Sequence, residues 1–219
     1  MVALSEAALD ALAGTQPQTS ARAIDPAGVQ LIALATAGDA TGLNAALEQA
    51  LARDGLRGFV LDTFAPLAGT VGELWAGGQL QIFEEHLLTR QLVQFLDVAM
   101  SRVGRPPSDP EVLLATLPGE QHALGLLMVE ALLWHAGTAT LNLGTDVPMD
   151  QVVAAAQRTG VATVALSFSA CYPRGSIRSD LEELAARLPG GVTIWIGGTG
   201  VRRLSRLPPS VQRMSLDAL

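Results

Sequence analysis

Residues 112–144 read VLLATLPGEQHALGLLMVEALLWHAGTATLNLG. Two short apolar runs, VLLATL and TATLNLG, enclose a stretch whose apolar residues recur at three- and four-residue intervals. Short runs without polar alternation mark strands buried on both faces, as in a parallel sheet. Successive parallel strands need a crossover of a dozen or more residues, usually a helix, and residues 122–136 supply one. The pattern repeats downstream: TVALSFS (163–169) and VTIWIGG (192–198) follow helical patterns over 149–159 and precede or follow one over 176–188. This alternation predicts an open parallel sheet with helices on both faces. Ligands of such sheets bind beyond the carboxyl ends of the strands, so PGEQHALG, at the end of the first strand, is the first place to look for chemistry.

Upstream the periodicity is different. PAGVQLIALATAG, DATGLNAALEQALARDG, LRGFVLDTFAPLAGTVGELWAGG and QIFEEHLLTRQLVQFLDVAMSRVG all space their apolar residues helically. Asp39 is placed to cap the second, accepting from first-turn amides, and Pro66 predicts a kink in the third. Four helices with short connections predict a bundle. The expected organisation is a loose lead-in over 1–26, a helical cap domain over 27–104, a linker RPPSDP over 105–110, and an α/β domain over 111–219.

The 219 residues carry a net charge of −7, with 49% hydrophobic residues. An acidic chain with a pI near 4.9 is poorly suited to bind nucleic acid directly, because phosphate contacts need a basic face. One cysteine, Cys171, rules out a disulfide framework within the chain. The N-terminus lacks the basic start of a secretory signal, and no apolar run has the length of a membrane span. A soluble, cytoplasmic protein is expected.

Several residues gather at the predicted strand ends. His122 follows the first strand, with Glu120 two residues earlier and Gln121 between them. One reading is a histidine opening a helix, with Glu120 favoured beside the N-terminal amides. The other is a metal ligand: imidazole binds through one nitrogen when a carboxylate holds the other. Gly125 would let a bulky ligand approach the helix. Ser167 and Ser169 end the third strand, as ligand hydrogen-bonding groups or as an ordinary polar terminus. Gly197 and Gly198 end the fourth, as space for a ligand or as a turn. His135 reads as a capping or surface histidine, Trp134 and Trp195 as core, Cys171 as a small filler, and Arg202 and Arg203 as a solvated pair or a phosphate contact.

Glu120-x-His122-x-x-Gly125, then Ser167-x-Ser169 after 41 intervening residues, then Gly197-Gly198 after a further 27, resembles the cobalamin-binding domain family. The resemblance implies a flavodoxin-like (Rossmann-type) sheet domain beneath an all-α cap. It implies that His122 is the lower cobalt ligand in place of the cofactor's own base, held by Glu120. Ser167 would bond the displaced dimethylbenzimidazole tail, and Gly197 and Gly198 would make room for it. The acid is Glu where Asp is more usual, and Ser169 stands where Leu is common. In the helical half, Trp75, nine intervening residues, then Glu85-His86 could be a buried Trp and a solvated pair on an amphipathic helix. The set also resembles the light-sensing, adenosylcobalamin-dependent repressors of the MerR type, in which the Trp shields the adenosyl group and the Glu-His pair lines the same pocket.

The chain departs from those repressors in three ways. It has no room for their winged-helix DNA-binding domain, Ala76 stands where they have a histidine after the motif Trp, and the last strand and helix look abbreviated after VQRMSLDAL. The expectation is a non-enzymatic, stand-alone photosensor that binds adenosylcobalamin and signals through a homo-oligomer or a separate output partner. Space beside Ala76 raises a second chromophore, such as a bilin. The rivals are a corrinoid methyl carrier of a methyltransferase system and a cobalamin storage or delivery protein. A mutase is disfavoured because no catalytic barrel is present.

Overall fold

The computed structural model describes residues 26–202 and 204–219. Residues 1–25 of the lead-in expected over 1–26, and Arg203, lie outside the described residues, as do the side chains of Pro26, Ala27, Ala76 and Arg174. Contacts divide the chain into two compact units between Phe95 and Leu96.

The described part of the first unit is helical: α1 Pro26–Thr36, α2 Ala40–Gly58, α3 Ala65–Ala76 and the start of α4 Ile82–Val103. Asp39 caps α2 as expected, accepting from the Gly42 amide at 2.8 Å. Gly55 interrupts α2 with φ +65°, a conformation that costs glycine little. Phe59–Phe64 forms a π-helical turn that runs directly into α3. The third predicted helix is therefore irregular just before Pro66, which has no N–H to donate back into the π turn that it follows. The π turn buries Phe59 and Phe64 fully. Phe59 packs on Phe64 and Phe95 with ring centroids 5.9 and 5.5 Å apart. An extra residue per turn places both rings inward, where regular spacing would rotate one of them away.

The second unit is a five-stranded parallel sheet: β1 Val112–Ala115, β2 Thr140–Asn142, β3 Thr163–Ser167, β4 Thr193–Gly197 and β5 Val211–Arg213, in the order β2-β1-β3-β4-β5. This is the flavodoxin-like order, with its topological switch point between β1 and β3. Helices α5 Leu124–His135, α6 Met149–Thr159 and α7 Arg174–Arg187 connect the strands. Four strands were legible as apolar runs; β5 was not, because three residues with two exposed give no pattern. Alternate residues serve two core layers. Leu113, Ala115, Val164, Leu166, Ile194 and Ile196 face one side; Val112, Leu114, Ala165 and Trp195 face the other with α5.

A polar cluster ties α5 to the edge strand β2. The buried Glu130 carboxylate accepts from Thr140 Oγ1 at 3.0 Å and Asn142 Nδ2 at 2.6 Å. Trp134 Nε1 donates to Thr140 Oγ1 at 2.8 Å, so this Trp is half-buried and anchored by its N–H rather than fully enclosed. Trp195 is likewise half-buried, His135 is exposed, and Cys171 is exposed rather than a filler. Arg105, in the Pro-rich run, donates to the Thr140 carbonyl at 3.0 Å. No described helix is long and apolar enough to cross a membrane.

Candidate functional site

The loop from β1 to α5 carries Glu120, Gln121 and His122 at the carboxyl edge of the sheet. Its shape is fixed by polar bonds to the loop after β2. Gly119, with φ +89°, donates its amide to Asp146 Oδ1 at 2.7 Å. Thr116 Oγ1 accepts from the Asp146 amide at 2.9 Å and donates to the Glu120 carbonyl at 2.5 Å. These bonds drive the Glu120 side chain inward, where it is 1% exposed, while the His122 ring is 50% exposed.

Glu120 is fully engaged. Oε1 lies 2.5 Å from His122 Nδ1 and accepts from the His122 amide at 3.1 Å. Oε2 accepts from the Ser169 amide at 2.7 Å, across 49 residues of sequence. Burial pushes the Glu120 carboxyl up, but bonds from the His122 ring, the Ser169 amide and hydroxyl, and the His122 amide outweigh it. The group is held below the ordinary glutamate value. The carboxylate is thus a charged acceptor at neutral pH that fixes the imidazole at Nδ1, the arrangement that readies the opposite nitrogen of a histidine for a metal.

The remaining sheet-edge residues converge. Ser167 and Gly197 are paired directly in the register of β3 and β4. By strand alternation both share the α5 side with Ala165 and Trp195. A Cβ on Gly125 would lie 2.3 Å from Ser167 Oγ, so the notch left by this glycine receives the serine hydroxyl. A Cβ on Gly197 would meet only the Met214 carbonyl, at 3.5 Å, an ordinary contact. Gly198 differs: its φ is +93° and a Cβ would lie 2.2 Å from the Phe168 carbonyl oxygen. The fold itself demands a glycine at 198 but not at 197. Ser169 reaches the cluster through its amide on Glu120, and its hydroxyl accepts from the Cys171 amide at 3.1 Å. That role does not depend on a leucine-like side chain at 169. The structural demand at Gly198 and the amide contact of Ser169 were not visible in the sequence, since both depend on how two distant loops pack.

In the helical unit, Trp75 is 38% exposed near the end of α3. Glu85 lies in the first turn of α4; it accepts from Thr89 Oγ1 at 2.6 Å and from His86 Nδ1 at 2.5 Å. The His86 side chain is 73% exposed. Glu84 Oε2 caps the same helix start, accepting from the Gln81 amide at 2.8 Å. The Glu-His pair is therefore a preset acid–imidazole unit on a helix N-terminus.

The donor set suits a corrinoid. Among the described residues no three His, Cys, Asp or Glu side chains form a metal cage, and His122 offers a single imidazole oriented by a carboxylate. A corrinoid would bring most of its metal's donors with it, and His122 would be the residue on this loop to hold it from the protein side. The serine hydroxyl and the side-chain-free strand end at Gly197 lie on one face of the same sheet edge.

Comparison with known proteins agrees. Residues 110–207 match a B12 binding domain model, and residues 29–100 match a second B12 binding domain model. The HTH-type transcriptional repressor CarH of Myxococcus xanthus is 31% identical over 141 residues, 64% of this chain and 47% of the repressor. CarA of the same organism is 30% identical over 126 residues, 58% of this chain and 43% of that protein. The chain thus spans about half the length of these two relatives. The methionine synthase of Mycobacterium tuberculosis is 24% identical over 170 residues, 76% of this chain but 14% of the enzyme. Among solved structures, the monomethylamine corrinoid protein of Methanosarcina barkeri superposes with a TM-score of 0.63 at 17% identity, covering 80% of this chain and 84% of the other, and shares the fold. The two family matches together take in most of the described residues, and the chain belongs to the family of B12-binding domain proteins.

Proposed function

We propose that the chain is a light sensor that binds adenosylcobalamin with His122 as the lower cobalt ligand. The observation that carries the ligand assignment is the buried Glu120 carboxylate, held on His122 Nδ1 and the Ser169 amide. In this reading Glu120 orients the imidazole and keeps its charge beside it, Ser167 bonds the nucleotide tail, and Gly197 leaves space along β4. From the helical unit, Trp75 and Glu85 meet the adenosyl group, with His86 fixed beside Glu85. When bound, the cofactor supplies a cobalt–carbon bond that green light can break. The residues 105–110 serve as the linker between a cap domain over 27–104 and a binding domain over 111–219.

The sensor reading is favoured over a methyl carrier by the Trp75, Glu85 and His86 set and by the likeness to CarH. The carrier reading draws support from the fold shared with the monomethylamine corrinoid protein. Cofactor choice separates them. A tryptophan that packs on a large upper group should favour adenosylcobalamin over methylcobalamin, and Trp75→Ala should erase that preference by removing a contact of about 1 kcal/mol beyond area burial. Calorimetric titration of the wild type with both cofactors tests this. Equal affinities would point to the methyl carrier. Spectra of the adenosylcobalamin-loaded chain before and after green light separate sensing from storage, and absorption beyond the corrinoid bands would identify a bilin.

A further inference from the structure

A second recess opens at the same edge of the sheet, on the opposite face from Ser167 and Gly197. Its volume is about 440 Å³, within the ~300–1,000 Å³ typical of small-molecule sites. Leu117, Met149 and the Tyr172 ring form an apolar floor continuous with the core layer beneath α6 and α7. Asp180 and Glu183, one turn apart on α7, give the rim its charge, and no described side chain lining the recess is basic. Asp180 accepts from Tyr172 Oη at 2.8 Å, and Glu183 pairs with the exposed Arg187 at 2.9 Å. The Tyr172 phenol is raised, first by burial and then by its bond to Asp180, so it stays a neutral donor and leaves the negative charge on Asp180.

The two walls of the recess are the loops at 117–119 and 171–173. One residue is bonded beside both. Glu120 receives Thr116 Oγ1 on its carbonyl and the Ser169 amide on its carboxylate. The residue that grips His122 is therefore bonded next to each wall, through its carbonyl on one side and its carboxylate on the other.

We propose that this recess is a second binding site, for an organic cation carried on an apolar body, and that its occupancy is felt at His122 through Glu120. The charge rests on the rim carboxylates, and the apolar body on the floor of Leu117, Met149 and Tyr172. The cation comes either from a free amine or from a basic side chain of a partner protein. Any consequence for cobalt rests on His122 being its ligand; the site itself does not.

The full chain, without corrinoid and labelled with ¹³C at methionine methyls and histidine rings, tests the proposal by nuclear magnetic resonance. The probes are benzamidine, its neutral isostere benzamide, and N-acetyl-arginine amide. Benzamidine should shift the Met149 methyl saturably, with a dissociation constant of about 1 mM, a fragment-level affinity. Benzamide should leave Met149 in place, and the His122 ring signal should move with the same midpoint. Asp180→Asn with Glu183→Gln should weaken binding about tenfold; Glu183→Gln alone serves if the double variant loses its circular dichroism. An equal response to benzamide, an unchanged affinity in the variants, or no shift with either cation overturns the site. Movement of Met149 without His122 overturns the coupling. Stronger binding of the arginine amide identifies a partner's side chain, and stronger binding of benzamidine a free amine. With no corrinoid present, failure here leaves the His122 assignment untouched.

Discussion

Glu120 is a carboxylate taken out of water, and it stays charged because the ring and amide of His122 and the amide and hydroxyl of Ser169 donate to it. Burying such a group is expensive unless its lone pairs are satisfied. The ordinary value for this carboxyl is 4.5, and its folded value is lower. The stability it contributes is therefore present above pH 4.5 and lost as pH falls through the lowered folded value. Glu120→Gln should cost about 1–3 kcal/mol at neutral pH, because hydrogen bonds to a charged acceptor become weaker and one amide hydrogen faces a donor. It should also flatten the acid limb of stability, which urea melts between pH 3 and pH 7 would measure. An acid limb identical to the wild type would show that another carboxylate governs it. The Glu-x-His spacing was legible because both residues lie in one short loop. The third donor, the Ser169 amide, was not, because it arrives from the end of β3, 49 positions away.

At the scale of elements, the glycines that end β4 do different things. Gly198→Ala should destabilise the sheet unit by about 2–4 kcal/mol, from a clash with the Phe168 carbonyl and a strained positive φ. Gly197→Ala should change stability by less than about 1 kcal/mol yet weaken cobalamin binding, since the new methyl projects on the side of Ser167. Thermal melts and cofactor titrations of the two variants check this; unaltered cobalamin affinity in Gly197→Ala would remove that glycine from the site. The elements themselves were readable where packing is periodic. The runs at 112–117 and 163–169 announced buried strands, and Asp39 announced a helix start. The π turn at Phe59–Phe64 was not readable, because it answers to the positions of rings in other helices. The tie from Glu130 to Thr140 and Asn142 was hidden for a similar reason. A glutamate within an apolar helix reads as exposed until its partners ten and twelve residues on are brought against it.

For the molecule as a whole, the contacts that distinguish dark from lit states would be those of Trp75 and Glu85 with the upper group. A ligand shifts an equilibrium only through its differential affinity for two states, so loss of that group should alter assembly or shape. Light scattering and solution X-ray scattering of the adenosylcobalamin-loaded chain, in darkness and after green light, should show a changed mass or a changed radius of gyration. Full photolysis without either change would leave signalling only to a partner protein. All of this depends on one bond. The measurement that tests it most directly is the absorption spectrum of cobalamin bound to the wild type and to His122→Ala. The wild type should show the spectrum of a histidine-coordinated cobalamin; the variant should fold, bind more weakly, and lose that spectrum. If His122→Ala keeps the histidine-coordinated spectrum, His122 is not the cobalt ligand.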